Sequence, residues 1–302
     1  MSASSSRSDA ELGMLFMGSA MLLVPGMDAL AKLLSAQLSP YQITFLRFLL
    51  QALLLGGILA WQRALAVPPS VLPQLALAGT LVAAAIGFLV WSVSILPLAN
   101  AIAIFFVEPL VLTLFSALFL GERIGGPRLV AVAVGFAGAL VVIRPNWAQF
   151  GAAAVLPLLA AVFYAAQLTV FRSLSGGLSG ARVQGYSAVF ATAVLGLALL
   201  LGGAAGVEQF AWHRPHGAAW AYLAGIGVLS TISYLLISAA LKRSEAGILA
   251  PFQYLEIISA TFLGYVVFGD FPDALTWLGT AIILASGLYV FHRERRIAAG
   301  AD

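Results

Sequence analysis

Two carboxylates interrupt otherwise apolar runs, and they do so in similar company. Glu108 stands in "AIFFVEPLVLTLFSALFLGE" (residues 103–122) and Glu256 in "ILAPFQYLEIISATFLGYVVFGD" (residues 248–270). An ionised side chain at mid-bilayer costs roughly 2.5–3.5 kcal/mol, so such a group persists when it is paired, faces a cavity or functions. Three chemistries fit each acid: hydrogen bonding that holds its helix to a neighbour, uptake and release of a proton, or direct contact with a ligand. Asp28 and Lys32 add a second constellation. They are four residues apart in "MDALAKLLS", which on a helix puts them on one face where they can pair. The long lysine stem can instead snorkel to the interface. Arg47, in "YQITFLRFLL", can complete a network with Asp28.

Neutral polar and aromatic residues supply the other candidates. Gln253 and Tyr254 precede Glu256 beside Pro251, a residue that removes a backbone donor and frees a carbonyl. Trp91, Phe105, Tyr164, Gln167, Ser230, Ser233 and Tyr234 all lie within apolar runs. Tyr164 and Gln167 share helical spacing, as do Ser230, Ser233 and Tyr234, so each set can face one cavity. A pocket that is mostly apolar with a few placed polar groups would suit a small molecule. Ordinary interhelical hydrogen bonding by Ser and Gln is the plainer alternative.

The elements that must carry these residues are membrane helices. Of 302 residues, 62% are hydrophobic and 9% charged, against roughly 25% charged in soluble domains. The mean hydropathy is +1.01. Apolar runs long enough to cross a bilayer occupy 12–35, 41–61, 72–95, 98–120, 128–144, 152–172, 183–203, 218–241, 247–268 and 274–291. No period-2 alternation runs through them, which excludes a β-barrel reading. The expected fold class is an all-α membrane protein of ten transmembrane helices. The polar stretch 1–11 precedes the first run without a separate signal peptide, and 292–302 forms a basic tail.

With both ends inside, Arg7, Arg63, Arg123, Arg128, Arg172, Arg182, Lys242, Arg243, Arg293, Arg295 and Arg296 fall on the cytoplasmic side. Only Arg144 and Arg214 fall outside, a bias of eleven to two. That asymmetry predicts cytoplasmic termini. It also accounts for the pI near 9.4 without nucleic-acid binding.

A shift of 148 positions lays Glu108 on Glu256, Gly121 on Gly269, Glu122 on Asp270 and Gly79 on Gly227. Each half, 12–144 and 152–291, then holds five spans. An odd number per half inverts the second copy, a construction shared by many secondary transporters.

Ten helices in two such halves, with Glu108-Pro109, Gly121-Glu122, Tyr254-Leu255-Glu256, Gly269-Asp270 and Arg47, resemble the EamA-type branch of the drug/metabolite transporter superfamily. The resemblance covers residues 12 to 291. It implies a central cavity between the halves, alternating access and residence in a bacterial inner membrane. Members carry amino acids, nucleosides, vitamins and other metabolites, so it implies a small-molecule cargo; the buried Glu108 and Glu256 make a proton, or else a counter-substrate, the expected coupling partner. An amino acid or related compound is the first expectation. The alternative is a carrier or passive facilitator of a vitamin or nucleoside derivative, since "MDALAKLLS" resembles a subset that carries cofactor-sized metabolites.

Other classes fare poorly. The chain contains no cysteine, which removes disulfides, thiolate metal sites and cysteine nucleophiles. His213 and His216 in "HRPH" lack a third ligand. No HExxH is present, and Val267 occupies the first glycine of a Gly-x-Gly-Asp motif. There is no nucleotide-binding loop. Neither an enzyme nor a cofactor is expected. A pore lacks an obvious filter, and a scaffold lacks a soluble domain. Gly135, Gly138, Gly279, Ser286 and Gly287 read as close helix packing or a homodimer contact.

Overall fold

The computed structural model describes residues 3–120, 125–174, 177–244 and 246–298, so Gly121, Glu122 and Arg123 lie outside the described residues. Among them there is no strand. Twelve helices follow in order: α1 (Ala3–Leu34), α2 (Pro40–Trp61), α3 (Leu72–Val93), α4 (Leu98–Phe105), α5 (Glu108–Leu120) and α6 (Gly126–Phe150). Then come α7 (Leu156–Leu174), α8 (Gly180–Ala204), α9 (Ala219–Leu241), α10 (Ala246–Gln253), α11 (Leu255–Phe268) and α12 (Ala274–Ala298). Nine stretches among the described residues are long and apolar enough to cross a membrane. One of them, Gly126–Leu174, holds both α6 and α7, separated where Gly151 takes a φ of 59° that a side chain would strain.

Local chemistry explains where helices begin. Ser39 caps α2 by accepting from the Gln42 N–H at 3.4 Å, and Pro40 fills the first turn, where its missing donor costs nothing. Ser179 caps α8 in the same way, accepting from the Arg182 N–H at 3.4 Å. Other ends depart from the sequence expectation. Helix α1 starts within the polar N-terminal stretch, α6 runs on to Phe150 past Pro145, and α12 continues into the basic end. Polar residues outside a bilayer keep a helix going because water solvates their side chains at no cost in burial. The larger departure is that 98–120 and 247–268 are not continuous helices: each is divided, into α4 and α5 and into α10 and α11.

Helix α1 packs on α9, α10 and α11; α7 packs on α3, α4 and α5. Helix α2 meets α8 and α9, α3 meets α8, and α6 pairs with α12. The interior is apolar, with Leu34, Phe48, Leu98, Ile102 and Ile104 fully buried. The exterior is apolar too: Leu118, Leu140, Leu200 and Phe262 are all exposed, as the lipid-facing surface of a bundle requires. Lipid gives no hydrophobic reward for helix association, so close packing of small residues carries it. A Cβ added to Gly279 would stand 2.6 Å from the Gly138 carbonyl, and one on Gly138 would stand 3.0 Å from that of Gly279. These glycines are spent on the α6–α12 contact within the chain. The connection between α8 and α9 is fastened to the start of α2: the Gln42 amide donates to the His213 carbonyl at 2.6 Å and accepts from its N–H at 2.9 Å.

Candidate functional site

The two acids sit where their helices break. Glu108 is the first residue of α5 and Glu256 the second of α11. Pro109 has no N–H for the Phe105 carbonyl, and Pro251 none for the carbonyl four residues before it. The gaps are closed by tight turns, with the Val107 N–H on the Ile104 carbonyl at 3.1 Å and the Tyr254 N–H on the Pro251 carbonyl at 3.3 Å. Each acid therefore stands in the first turn of a half-helix, the end at which the helix dipole favours negative charge. The break, and not the apolar run, is the setting of each acid.

Around these breaks the structure gathers four of the five predicted charged candidates. Asp28 is buried, and an Arg47 guanidinium nitrogen lies 3.9 Å from its carboxylate. Arg47 is within electrostatic reach of Tyr164 and Glu256; Glu256 is within reach of Asp28 and Glu108. Glu108 feels Arg172 of α7, whose guanidinium also donates to the Ser116 hydroxyl at 3.0 Å. The Glu108 Oε1 and Arg47 Nε atoms are buried without a hydrogen-bond partner.

Lys32 is the fifth, and the expected Asp28–Lys32 pair does not form. The Lys32 ammonium donates to Asp270 Oδ2 at 3.0 Å and to the Leu96 carbonyl at 2.9 Å. Asp28 already faces Arg47 from α2. Four residues further along α1, about 6 Å nearer the helix end, the lysine stem reaches the turn after α11 instead.

Aromatic rings line the same region. Phe105 meets Tyr164 edge-on at 5.5 Å, and Phe106 meets Tyr254 at 5.7 Å. Trp91 lies between Phe88 at 6.4 Å and Tyr41 at 6.3 Å, and Tyr41 stacks on Phe210 at 4.3 Å. Tyr41, Phe88 and Phe106 were not among the sequence candidates. The three-residue spacing of Phe88 and Trp91 was the available signal for one of them. Gln167 and Ser233 are buried, and Ser233 Oγ has no hydrogen-bond partner. Ser230 donates to the Gly227 carbonyl of its own helix at 3.0 Å. Two candidates stand apart: Gln253 is exposed, and the Tyr234 hydroxyl pairs with Ser238 and faces Gly180 at the start of α8. Tyr254 also borders a groove of about 380 Å³ between α10, α11 and α12, lined with Pro251, Trp277 and Thr280.

The sequence profile of the EamA-like transporter family matches residues 11–144 and 151–291. The chain belongs to this family. Like its other EamA relatives it is a multi-pass membrane transporter and not an enzyme. It is 32% identical to a riboflavin transporter of Rhizobium johnstonii over 71% of this chain and 69% of that protein. It is 32% identical to the pseudopaline exporter CntI of Pseudomonas aeruginosa over 86% of this chain and 89% of the exporter. An S-adenosylmethionine uptake transporter of Rickettsia conorii is 25% identical over 89% and 88% of the two chains. A solved crystal structure with 19% identity superposes with a TM-score of 0.59 over 98% of this chain and 99% of that one, which establishes a shared fold.

Proposed function

We propose that this EamA chain is a ten-span secondary transporter of two inverted five-helix halves, 12–144 and 152–291, working by alternating access in a bacterial inner membrane with both termini cytoplasmic. The observation that carries the reading is the pair of broken helices, each with its acid at the start of the second segment. The 49 residues of Gly126–Leu174 are about 73 Å of helix at 1.5 Å per residue, enough for two crossings of a ~30 Å core.

The packing supports the exchange of halves. The α1 contacts with α9, α10 and α11 have their counterparts in those of α7 with α3, α4 and α5, while α2–α8 and α6–α12 pair like with like. Gly79 lies against Phe190, and Gly227, its mate at an offset of 148, against Leu50. Discontinuous helices at a repeat interface are the usual seat of cargo and coupling ions.

The cargo is a small polar or aromatic metabolite held among Trp91, Phe105, Tyr164, Gln167 and Tyr254. The riboflavin and S-adenosylmethionine carriers among the relatives favour a cofactor-sized compound over a simple amino acid. Glu256 and Glu108 take the proton or the charged part of the cargo. The test is a thermal-shift panel on detergent-purified protein with riboflavin, S-adenosylmethionine, nucleosides and amino acids, followed by uptake into proteoliposomes. A ligand at 100 times its dissociation constant adds about 2.7 kcal/mol to the native state. Saturable uptake with counterflow supports the carrier; flux that neither saturates nor counterflows would make the chain a pore.

A further inference from the structure

Lys32 makes three contacts with groups from elsewhere in the chain. Its ammonium donates to Asp270 Oδ2 at 3.0 Å and to the Leu96 carbonyl at 2.9 Å, and it lies 4.8 Å above the centroid of the Phe268 ring. Leu96 belongs to the turn between α3 and α4, while Phe268 and Asp270 end α11 and begin the turn that follows. One side chain in the last turn of α1 thus joins three segments at the same end of the bundle. The lysine side chain is 16% exposed and the aspartate 35%, so the pair is partly withdrawn from water and less screened than a surface ion pair.

Asp270 is held in place by backbone. Gly269 takes a left-handed φ of 74°, and the Asp270 N–H reaches back to the Gly264 carbonyl at 3.0 Å. The carboxylate is presented by this turn before any lysine arrives, and preorganisation of that kind lowers the entropic cost of pairing. Directly beneath, α4 packs on α11, with Leu98 and Ala99 against Gly264, and both α4 residues are buried. One turn further down α1 is Asp28, facing Arg47. The helix that carries the lysine therefore also carries a wall of the acid cluster.

We propose that Asp270 and Lys32 form the latch that closes this end of the bundle over the acid cluster. This rests on the alternating-access reading. When α1 and the α3–α4 turn separate from α11, the ion pair, the carbonyl contact and the ring contact are lost together. Asp270 is a positioning residue, acting through Lys32 and α1 and not by touching cargo.

The chain has no cysteine, so a single reporter can be placed under the latch. Ala99→Cys is labelled with a membrane-impermeant maleimide in proteoliposomes without cargo, alone and combined with Lys32→Ala, Asp270→Ala, Asp270→Glu and the exchange Lys32→Asp/Asp270→Lys. Removing either partner raises the labelling rate roughly fivefold, the population shift expected from losing one ion pair. The Asp270→Glu variant and the exchange return it toward the Ala99→Cys rate. Equal rates in all variants, or an exchange that labels as fast as the single alanines, would overturn the proposal. If the alanine variants elute as aggregates, Lys32→Gln and Asp270→Asn take their place, and the latch stands only if both label faster than Ala99→Cys alone. Labelling that follows the latch in a chain that moves no compound of the panel removes the transport reading alone. Transport with latch-insensitive labelling removes the latch alone.

Discussion

Arg47 of α2 and Asp28 of α1 face each other at 3.9 Å with side chains 12% and 3% exposed. A buried pair of this kind contributes little net stability, but removing one partner strands the other charge in a low-dielectric interior.

Arg47→Met alone is expected to cost about 3–5 kcal/mol or to prevent accumulation of folded protein. Arg47→Met with Asp28→Asn should recover most of that loss. Fluorescence size-exclusion after heating, read on both variants, measures the difference. Equal melting of single and double variants would show that the two charges are compensated independently.

Glu256→Gln keeps the shape and hydrogen-bonding capacity of the side chain but removes its titration. If Glu256 carries the proton, the variant binds the panel ligand yet loses acceleration by an imposed pH gradient. Uptake into proteoliposomes with and without the gradient checks this. Gradient-driven uptake that survives the substitution moves the role to Glu108, and the same assay on Glu108→Gln follows.

Gly279→Val should destabilise by about 1–3 kcal/mol, because the added carbons meet the α6 backbone, which cannot yield as a side-chain tip would. Gly138→Val should do the same. Melting temperature and light scattering of the same preparations separate this from a dimer role, which would change the mass and leave the melting temperature alone.

Gly269→Ala forces a β-carbon into the left-handed region, at a cost of about 1–2 kcal/mol. Gly269→Asn should cost less, since asparagine tolerates that conformation better than alanine. Thermal melts of both variants test the order; a melting temperature for Gly269→Ala at or above that of Gly269→Asn would show that the turn does not depend on the left-handed residue.

Much of this architecture is written in local sequence. The run 41–61 becomes Pro40–Trp61 because a serine cap, a proline and a mostly apolar stretch of spanning length all specify the same thing. The acids could be located for the same reason, since a carboxylate in an apolar run is conspicuous. The helix breaks had a signal in Pro109 and Pro251, but a proline alone does not distinguish a kink from a separation into two segments. Lys32 was harder. Helical spacing states which residues share a face and says nothing about what arrives opposite, and its partner lies 238 positions away in sequence. Tyr41 and Phe210 were unreadable for the same reason: their stacking depends on a connection between α8 and α9 folding back onto the start of α2.

The α6–α12 contact has a mechanical consequence. Two helices that touch backbone to backbone at Gly138 and Gly279, with Val142 and Ile282 packed directly beside the crossing, meet steric resistance at once when they slide along one another. Tilting about the point of contact does not. The glycines thus act as a fulcrum, and the helix ends are its lever arms. At 1.5 Å per residue an end ten residues away lies about 15 Å from the contact, so a tilt of about 10° sweeps it through roughly 3 Å. Displacement grows toward both ends of the bundle and with opposite sense, so whatever widens one end by this route narrows the other.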